Sequence, residues 1–239
     1  MKFSKKNLSL FKLAGAAVLV TTVIIGSAYK NHNALPPLRQ AKVKVINGIF
    51  DHPGYVIKVN GKELSAAPLA YRKSTEYTAI PASAQLLTVT EQGSNKVILS
   101  SKLKIAAGAS ASFYLVPETA TSKATSLLIP DDLSTIAPKK AKVRFVNLSP
   151  DSEKLDLLVN GKTVKTATSV EFKEATSFVE IDPQQAATFE IRKTGTDQIV
   201  AKSATVNVKE GQFTTLWAVG PPVQTKRGTT IALGVINNQ

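Results

Sequence analysis

Apolar and polar residues alternate along most of the chain after residue 40. Val43 and Val45, for example, stand between Lys42 and Lys44, and the same period of two returns in later segments. This period places successive side chains on opposite faces of a half-buried β-strand. Amphipathic helical spacing is lacking after residue 30. The pattern therefore predicts an all-β chain of short strands separated by polar turns.

The whole pattern repeats after 100 residues. The segment AKVKVIN at 41–47 returns as AKVRFVN at 141–147, and VNGK at 59–62 returns at 159–162. The Asn-Gly pair of each second segment lies between apolar stretches and favours a two-residue hairpin turn with positive φ angles. Downstream the offset drifts by one to three residues, as loop insertions would cause. The repeat predicts two copies of one domain.

These observations divide the chain into five segments. The predicted segments are a signal peptide or membrane anchor at 1–28, a linker at 29–40, repeat 1 at 41–130, a polar junction at 131–140 and repeat 2 at 141–239. Seven or eight short strands per repeat are typical of a β-sandwich of immunoglobulin-like or transthyretin-like type. The short junction predicts limited freedom between the two domains.

The first 28 residues have the three-part pattern of an export signal. A lysine cluster precedes the apolar run 13–28, which ends in the small residues Gly26, Ser27 and Ala28. The apolar core of about 16 residues is shorter than the roughly 20 that a permanent membrane helix needs. We therefore expect cleavage after Ala28, with an uncleaved anchor as the alternative. The cluster consists of Lys2, Lys5, Lys6 and Lys12.

Composition narrows the location and the partners. The chain has no cysteine, which excludes disulfides, thiolate metal sites and a lipoprotein anchor. The predicted location is extracytoplasmic: periplasm, cell surface or medium. Of the net charge of +13, residues 1–40 supply +6, whereas residues 141–239 carry twelve basic and ten acidic side chains. Positive charge this dispersed argues against binding to nucleic acid.

Repeat 2 contains three segments with a family resemblance. They are VRFVNLSPD at 143–151, LDLLVNG at 155–161 and EGQFTTL at 210–216, and together they resemble the bacterial domain of unknown function 4397. Repeat 1 resembles this family through its similarity to repeat 2. The resemblance implies an extracytoplasmic β-sandwich that often occurs in tandem, and it implies no established activity and no catalytic residues.

Residues with catalytic potential are scarce. His32 lies in the linker and His52 in a loop of repeat 1, and neither recurs in the other repeat. A catalytic triad on His52 would need a serine and an acid from elsewhere, and no nucleophile motif supplies them. Two histidines in separate segments, with no cysteine in the chain, are equally weak evidence for a metal site. We therefore predict a chain without catalytic residues, cofactor or bound metal.

Three acids of repeat 2 lie close in sequence, at Asp151, Glu153 and Asp156. Such a group suggests a calcium site or a carboxylate pair for glycoside hydrolysis. The spacing favours another interpretation, because Asp151 and Glu153 belong to a turn after Pro150. Asp156 alternates with apolar neighbours and is predicted to point away from the core of a strand.

The lysines at alternate strand positions and the aromatic residues can each be interpreted either as a binding surface or as part of the structure. Six lysines at alternate positions suggest a polyanion-binding stripe, but solvated strand faces and protected sheet edges explain them better. The aromatic residues recur at equivalent positions of both repeats and are predicted to form the core, with an exposed, sugar-stacking position of Tyr114 and Trp217 as the alternative. The lysines are Lys42, Lys44, Lys102, Lys104, Lys140 and Lys142, and the aromatics are Tyr71, Tyr77, Phe113, Tyr114, Phe172, Phe178 and Trp217.

The sequence thus predicts a non-catalytic, extracytoplasmic binding or structural module of the bacterial cell envelope. The expected partners are envelope polysaccharide or a surface protein, with membrane contact only through an uncleaved N-terminal segment. The alternative is a hydrolase of envelope glycan or peptide with an unrecognised active site. Titratable groups that converge in one cleft would favour the hydrolase.

Overall fold

A computed structural model describes residues 39–50, 53–94, 96–117, 124–150, 152–220 and 231–238. Throughout these ranges the chain forms β-strands and turns and no helix, which confirms the all-β prediction. A helix long and apolar enough to cross a membrane is accordingly not found in them. The predicted leader, His32, His52 and Asp151 lie outside the described residues.

Repeat 1 forms two four-stranded sheets, and its last strand includes Asp131, the first residue of the predicted junction. In the first, inner sheet 1, the strand order is β4-β1-β7-β8, and in the second, outer sheet 1, it is β3-β2-β5-β6. The strands are β1 (Gln40–Asn47), β2 (Tyr55–Val59), β3 (Lys62–Glu63), β4 (Thr78–Pro81), β5 (Gln85–Glu91), β6 (Val97–Leu103), β7 (Ser110–Pro117) and β8 (Ala124–Asp131).

Repeat 2 has the same plan with three of its strands interrupted. Inner sheet 2 has the order β12-β9-β18-β19, with β13 also paired to β9, and outer sheet 2 has the order β11-β10-β15-β16, while β14 pairs with β17. The strands are β9 (Ala141–Asn147), β10 (Leu155–Val159), β11 (Lys162–Thr163), β12 (Glu174–Ala175), β13 (Val179–Ile181), β14 (Gln184–Ala187), β15 (Phe189–Lys193), β16 (Ile199–Lys202), β17 (Val206–Val208), β18 (Phe213–Val219) and β19 (Ala232–Asn237).

The inner sheets of the two repeats share one strand order. In each inner sheet the first strand pairs in parallel with a late strand, β1 with β7 and β9 with β18. This order differs from the A-B-E-D and C-F-G sheets of an immunoglobulin constant domain. Both predicted Asn-Gly turns are confirmed, with φ of 48° and 81° at Asn60 and Gly61 and of 48° and 73° at Asn160 and Gly161.

Each sandwich has its own apolar core between its inner and outer sheets. In repeat 1, Val43 and Val45 of β1 pack with residues of outer sheet 1 such as Ile57, and all three are at most 1% exposed. In repeat 2, Val143 and Leu157 hold the corresponding positions. The intervening residues of each outer strand face away from the core, as the period of two requires.

A third apolar cluster lies between the two inner sheets. It places one face of β1 and β7 against one face of β9 and β18, and we call this contact the inter-repeat face. The layers therefore follow the order outer sheet 1, inner sheet 1, inner sheet 2, outer sheet 2. The buried members of the cluster are Ile46, Tyr114, Val116, Val146, Leu148, Trp217 and Val219.

The junction is held against repeat 2 by three carboxylates. The backbone N–H of Lys139 donates to Glu210 at 2.8 Å, and the ammonium of Lys140 contacts Asp182 at 2.6 Å. The N–H of Ala137 donates to Glu180 at 3.2 Å. These bonds order the exposed backbone between the two repeats and so limit its freedom.

Candidate functional site

Titratable groups converge at the inter-repeat face, around Arg144. The Arg144 side chain is 2% exposed, forms an ion pair with Asp131 and donates through Nε to the hydroxyl of Thr215 at 2.9 Å. The Asp131 carboxylate also accepts from the hydroxyls of Tyr77 at 2.5 Å and Ser112 at 2.8 Å. A buried arginine and carboxylate require such additional bonds, because the ion pair alone does not offset their loss of hydration.

Lys44 and Arg144 occupy equivalent strand positions and make equivalent contacts. The Nζ of Lys44 donates to the backbone carbonyl of Asn237 in β19 at 2.9 Å, and the Nη1 of Arg144 donates to that of Pro130 in β8 at 3.3 Å. Each cation thus reaches the last strand of the other repeat. The two inner sheets are therefore related by an approximate two-fold axis.

A second equivalent pair crosses the same face. The guanidinium of Arg72 donates to the backbone carbonyl of Leu233 at 2.8 Å, and the ammonium of Lys173 contacts the hydroxyl of Thr125 at 3.2 Å. Both residues have a φ of 62°. The left-handed backbone conformation costs a bulky residue free energy, and at these two positions it accompanies the contact across the face.

The symmetry of charge fails where Asp131 and Asn238 occupy equivalent positions. Asp131 pairs with the first residue of β7, and Asn238 takes the equivalent place beside Phe213, the first residue of β18. The Asn238 amide donates to the Tyr77 hydroxyl at 3.0 Å and accepts from Thr215 at 2.7 Å. The face therefore contains a carboxylate from repeat 1 where repeat 2 supplies a neutral amide.

Burial controls the protonation of this network. Burial lowers the pKa of Lys44, although the nearby Glu76 and Asp131 oppose the shift. Burial also raises the pKa values of Tyr77 and Tyr114, so both hydroxyls stay protonated over the ordinary pH range. Because these groups bond to one another between two packed sheets, the network acts as a connection between the repeats.

Of the three acids of repeat 2, the structure describes Glu153 and Asp156, and each contacts a different basic side chain. Glu153 pairs with Lys193 at 2.5 Å, and Asp156 pairs with Arg192 at 3.1 Å. Asp156 also accepts from the Thr194 hydroxyl at 2.5 Å. Burial alone would raise the pKa of Asp156, but these bonds hold it below its usual value. Asp156 points away from the core, as its spacing predicts. The described residues contain no group of three metal-ligating side chains.

The six lysines do not form one stripe. Lys42 and Lys44 belong to inner sheet 1, Lys102 to outer sheet 1 and Lys142 to inner sheet 2. Lys44 is buried, 3% exposed, and Lys142 donates to the backbone carbonyl of Thr135 at 3.1 Å. Of these lysines, only Lys102 lies on an outer sheet.

Of the seven aromatic residues, Phe113, Tyr114 and Trp217 are buried, which confirms the core interpretation for these three, and the other four are half-buried. The exposed alternative for Tyr114 and Trp217 is wrong. Tyr114 is 0% and Trp217 1% exposed, because each faces the other repeat. A Cβ atom at Gly234 would lie 2.2 Å from the Trp217 ring, so only glycine fits there. The strand partner at the equivalent place beside Tyr114 is Leu127.

Sequence reasoning missed the inter-repeat face, although a signal for it exists. The strands FYLV at 113–116 and LWAV at 216–219 are continuous apolar runs, and every residue in them is buried. Continuous apolar strands are typical of sheets that are covered on both faces. Read in this way, both runs would have predicted that each inner sheet is covered twice.

Comparisons with known proteins identify the family. The model of the domain of unknown function DUF4397 matches residues 41–158 and 146–239. The chain therefore belongs to this family, as the resemblance of repeat 2 suggested. No curated protein matches the chain in sequence.

Among solved structures, the chain shows a remote likeness to CBMbc, a family CBM26 module of Amy13K from Eubacterium rectale, determined in complex with maltoheptaose. The identity is 10%, and the match covers 83% of this chain and 97% of that chain with a TM-score of 0.28. A likeness at this level indicates neither a ligand nor an activity for the present chain.

Proposed function

We propose that the chain is a non-catalytic binding or structural module that works outside the cytoplasm, at the bacterial cell envelope. The observation that carries this proposal is the face-to-face packing of the inner sheets. This packing joins the two sandwiches through their inner sheets and leaves outer-strand residues such as Leu86 and Ile199 exposed. Such surfaces suit recognition by contact with a polymer or a protein.

The state of the acidic side chains supports the same proposal. Asp131 is enclosed between the inner sheets, and Glu153 and Asp156 each have a cationic partner. A general acid or base has to reach a substrate with a free lone pair or proton. These acids instead bond to neighbouring protein groups, which suits a structural role.

The extracytoplasmic location rests on the leader pattern and on the family resemblance. We expect the exported chain to begin at or near Tyr29, because the small residues Gly26, Ser27 and Ala28 follow an apolar core of signal length. Mass spectrometry of protein from the envelope and the medium measures this end directly. Intact residues 1–28 on membrane-bound protein would establish an anchor instead.

The non-catalytic role is tested by binding and turnover in parallel. The protein is incubated with envelope polysaccharide and with surface extracts at low and physiological ionic strength, and the same materials are screened for turnover. We expect retention without turnover. Turnover that a single substitution at His52 or Asp151 abolishes, in a variant that still folds, would establish the hydrolase instead.

A further inference from the structure

The two outer sheets are equivalent in the repeat, yet they present different surfaces. We call the solvent-facing side of outer sheet 1 outer face 1 and that of outer sheet 2 outer face 2. On outer face 1, Lys58, Thr88 and Ser100 form one cross-strand row, and Leu86 and Lys102 form the next. Uncharged hydroxyl and aliphatic groups therefore lie between two lysines on separate strands.

Outer face 2 neutralises its own charges. Lys202 pairs with Glu190 at 2.7 Å and Arg192 pairs with Asp156 at 3.1 Å, both between neighbouring strands. Each cation of this face thus has a carboxylate at contact distance. Cross-strand pairs of this kind stabilise a sheet, and they leave little net charge to attract a ligand.

The cations of outer face 1 are less closely paired with carboxylates than those of outer face 2. Lys102 is exposed and has no ion-pair partner among the described residues. The contact of Lys58 with Glu63 is long, at 3.5 Å, and both side chains are well exposed, at 38% and 54%. An exposed pair at this distance holds its members weakly. Both ammonium groups are therefore accessible to an external anion.

We propose that outer face 1 binds a polymer that carries an anionic group on each repeating unit, which deepens and rests on the proposed function. Lys58 on β2 and Lys102 on β6 flank β5 in rows two residues apart, so their Cα atoms stand about 10 Å apart across the sheet and about 7 Å apart along it. One exposed contact of this kind contributes little. A polyanion contacts both lysines at once and gains from the second contact without a second association step.

The rest of the face argues for this partner over two others. The described residues of outer face 1 include no aromatic ring on which a neutral sugar would stack. They also lack the tryptophan, tyrosine and arginine side chains that usually anchor protein interfaces. Exposed aliphatic side chains such as Leu86, 46% exposed, and Val97, 53% exposed, offer contact to the nonpolar parts of a polymer beside the two cations.

The test measures affinity of the full-length chain, purified in one mild detergent, for three polymers. Polygalacturonate carries carboxylates, polyglycerol phosphate carries phosphates, and dextran is neutral. We expect binding to at least one polyanion at low ionic strength and weaker binding at physiological ionic strength, because salt screens exposed charges. The variant K58Q/K102Q should lose about tenfold in affinity for the bound polyanion. The matched control K202Q, on outer face 2, should stay within about twofold.

Each result decides the proposal. The polyanion with the higher affinity identifies the anionic group as carboxylate or phosphate. Equal affinity of wild type and K58Q/K102Q, an equal loss in K202Q, dextran binding as strong as polyanion binding, or no binding to either polyanion overturns it. Unfolding midpoints verify that the variants fold, and the shared N-terminal lysines cancel in the comparison. Continued retention on envelope extract without turnover would leave the proposed function standing in each of these cases.

Discussion

The two sides of the inter-repeat face have the same positions but different side chains. Repeat 1 places Tyr114 beside Leu127, whereas repeat 2 places Trp217 beside Gly234. The smaller ring, that of Tyr114, has the larger neighbour Leu127, and the larger ring, that of Trp217, has glycine beside it. The comparison shows that the two halves of a duplicated contact can exchange individual residues if the combined volume of the neighbouring side chains is kept. Close packing constrains this combined volume more than the size of either side chain.

The polar part of the same face differs in charge. Repeat 1 supplies the carboxylate of Asp131 and the hydroxyl of Tyr77, and repeat 2 supplies the guanidinium of Arg144 with Asn238 and Phe178 at the equivalent places. The two-fold symmetry of the face therefore holds for the positions of its residues but not for their charges. The Asp131 carboxylate forms its ion pair with Arg144 of repeat 2, whereas Lys44 of repeat 1 contacts a backbone carbonyl.

Separation of the repeats should have the largest effect. Residues 41–130 and 141–239, expressed apart, are each expected to unfold cooperatively, but with a lower midpoint than in the whole chain because the inter-repeat face becomes exposed. Mixing the halves should restore part of the loss. Denaturant unfolding followed by circular dichroism measures both effects. Halves that are disordered alone and fold only when mixed would show one shared core instead of two domains.

Loss of the carboxylate should cost more than loss of the amide. Asp131→Ala leaves Arg144 buried without its counter-charge, and we expect a loss of about 3–5 kcal/mol in the free energy of unfolding. Asn238→Ala at the equivalent place removes neutral hydrogen bonds, with an expected loss of about 1–3 kcal/mol. Urea unfolding of both variants gives the comparison. Equal losses would mean that the charge asymmetry of the face has no energetic weight.

The volume exchange can be tested by a double-mutant cycle. Gly234→Ala forces a methyl group against the Trp217 ring, and we expect a loss of about 1–3 kcal/mol. Trp217→Phe removes the part of the indole that the methyl group meets, so the two substitutions together should cost less than the sum of the single losses. Additive losses measured by denaturant unfolding would contradict the proposed fit.

The smallest expected effect concerns alkaline pH. The pKa of Tyr77 is raised in the folded chain above its unfolded value of about 10, so its contribution to stability is complete below pH of about 10 and is lost as pH rises further. Tyr77→Phe, which gives repeat 1 the ring type of Phe178, should therefore weaken the fall in stability above that pH. Unfolding midpoints across the alkaline range measure the slope, and identical slopes in the variant and the wild type would refute this assignment.

Local patterns predicted much of the fold because their causes are local. The alternation around Val43 and Val45 reports which strand face is buried, and the Asn60–Gly61 and Asn160–Gly161 pairs report backbone angles that these residues adopt readily. The internal repeat then transferred the assignment of one half to the other. Of the candidate residues, Asp156 points away from the core as its spacing predicts.

The sequence by itself therefore determined an all-β chain with two related sandwiches, because strand period, turn chemistry and repetition are written in neighbouring residues. Only the tertiary structure decided what covers the inner sheets. Lys44 and Arg144 look like solvent-facing residues of a strand, and the structure buries them because the other repeat supplies their acceptors. Residues such as Tyr77 and Asn238 are far apart in the chain, so their contact produces no periodic pattern in the sequence around either of them. Their contact exists only once two folded faces meet.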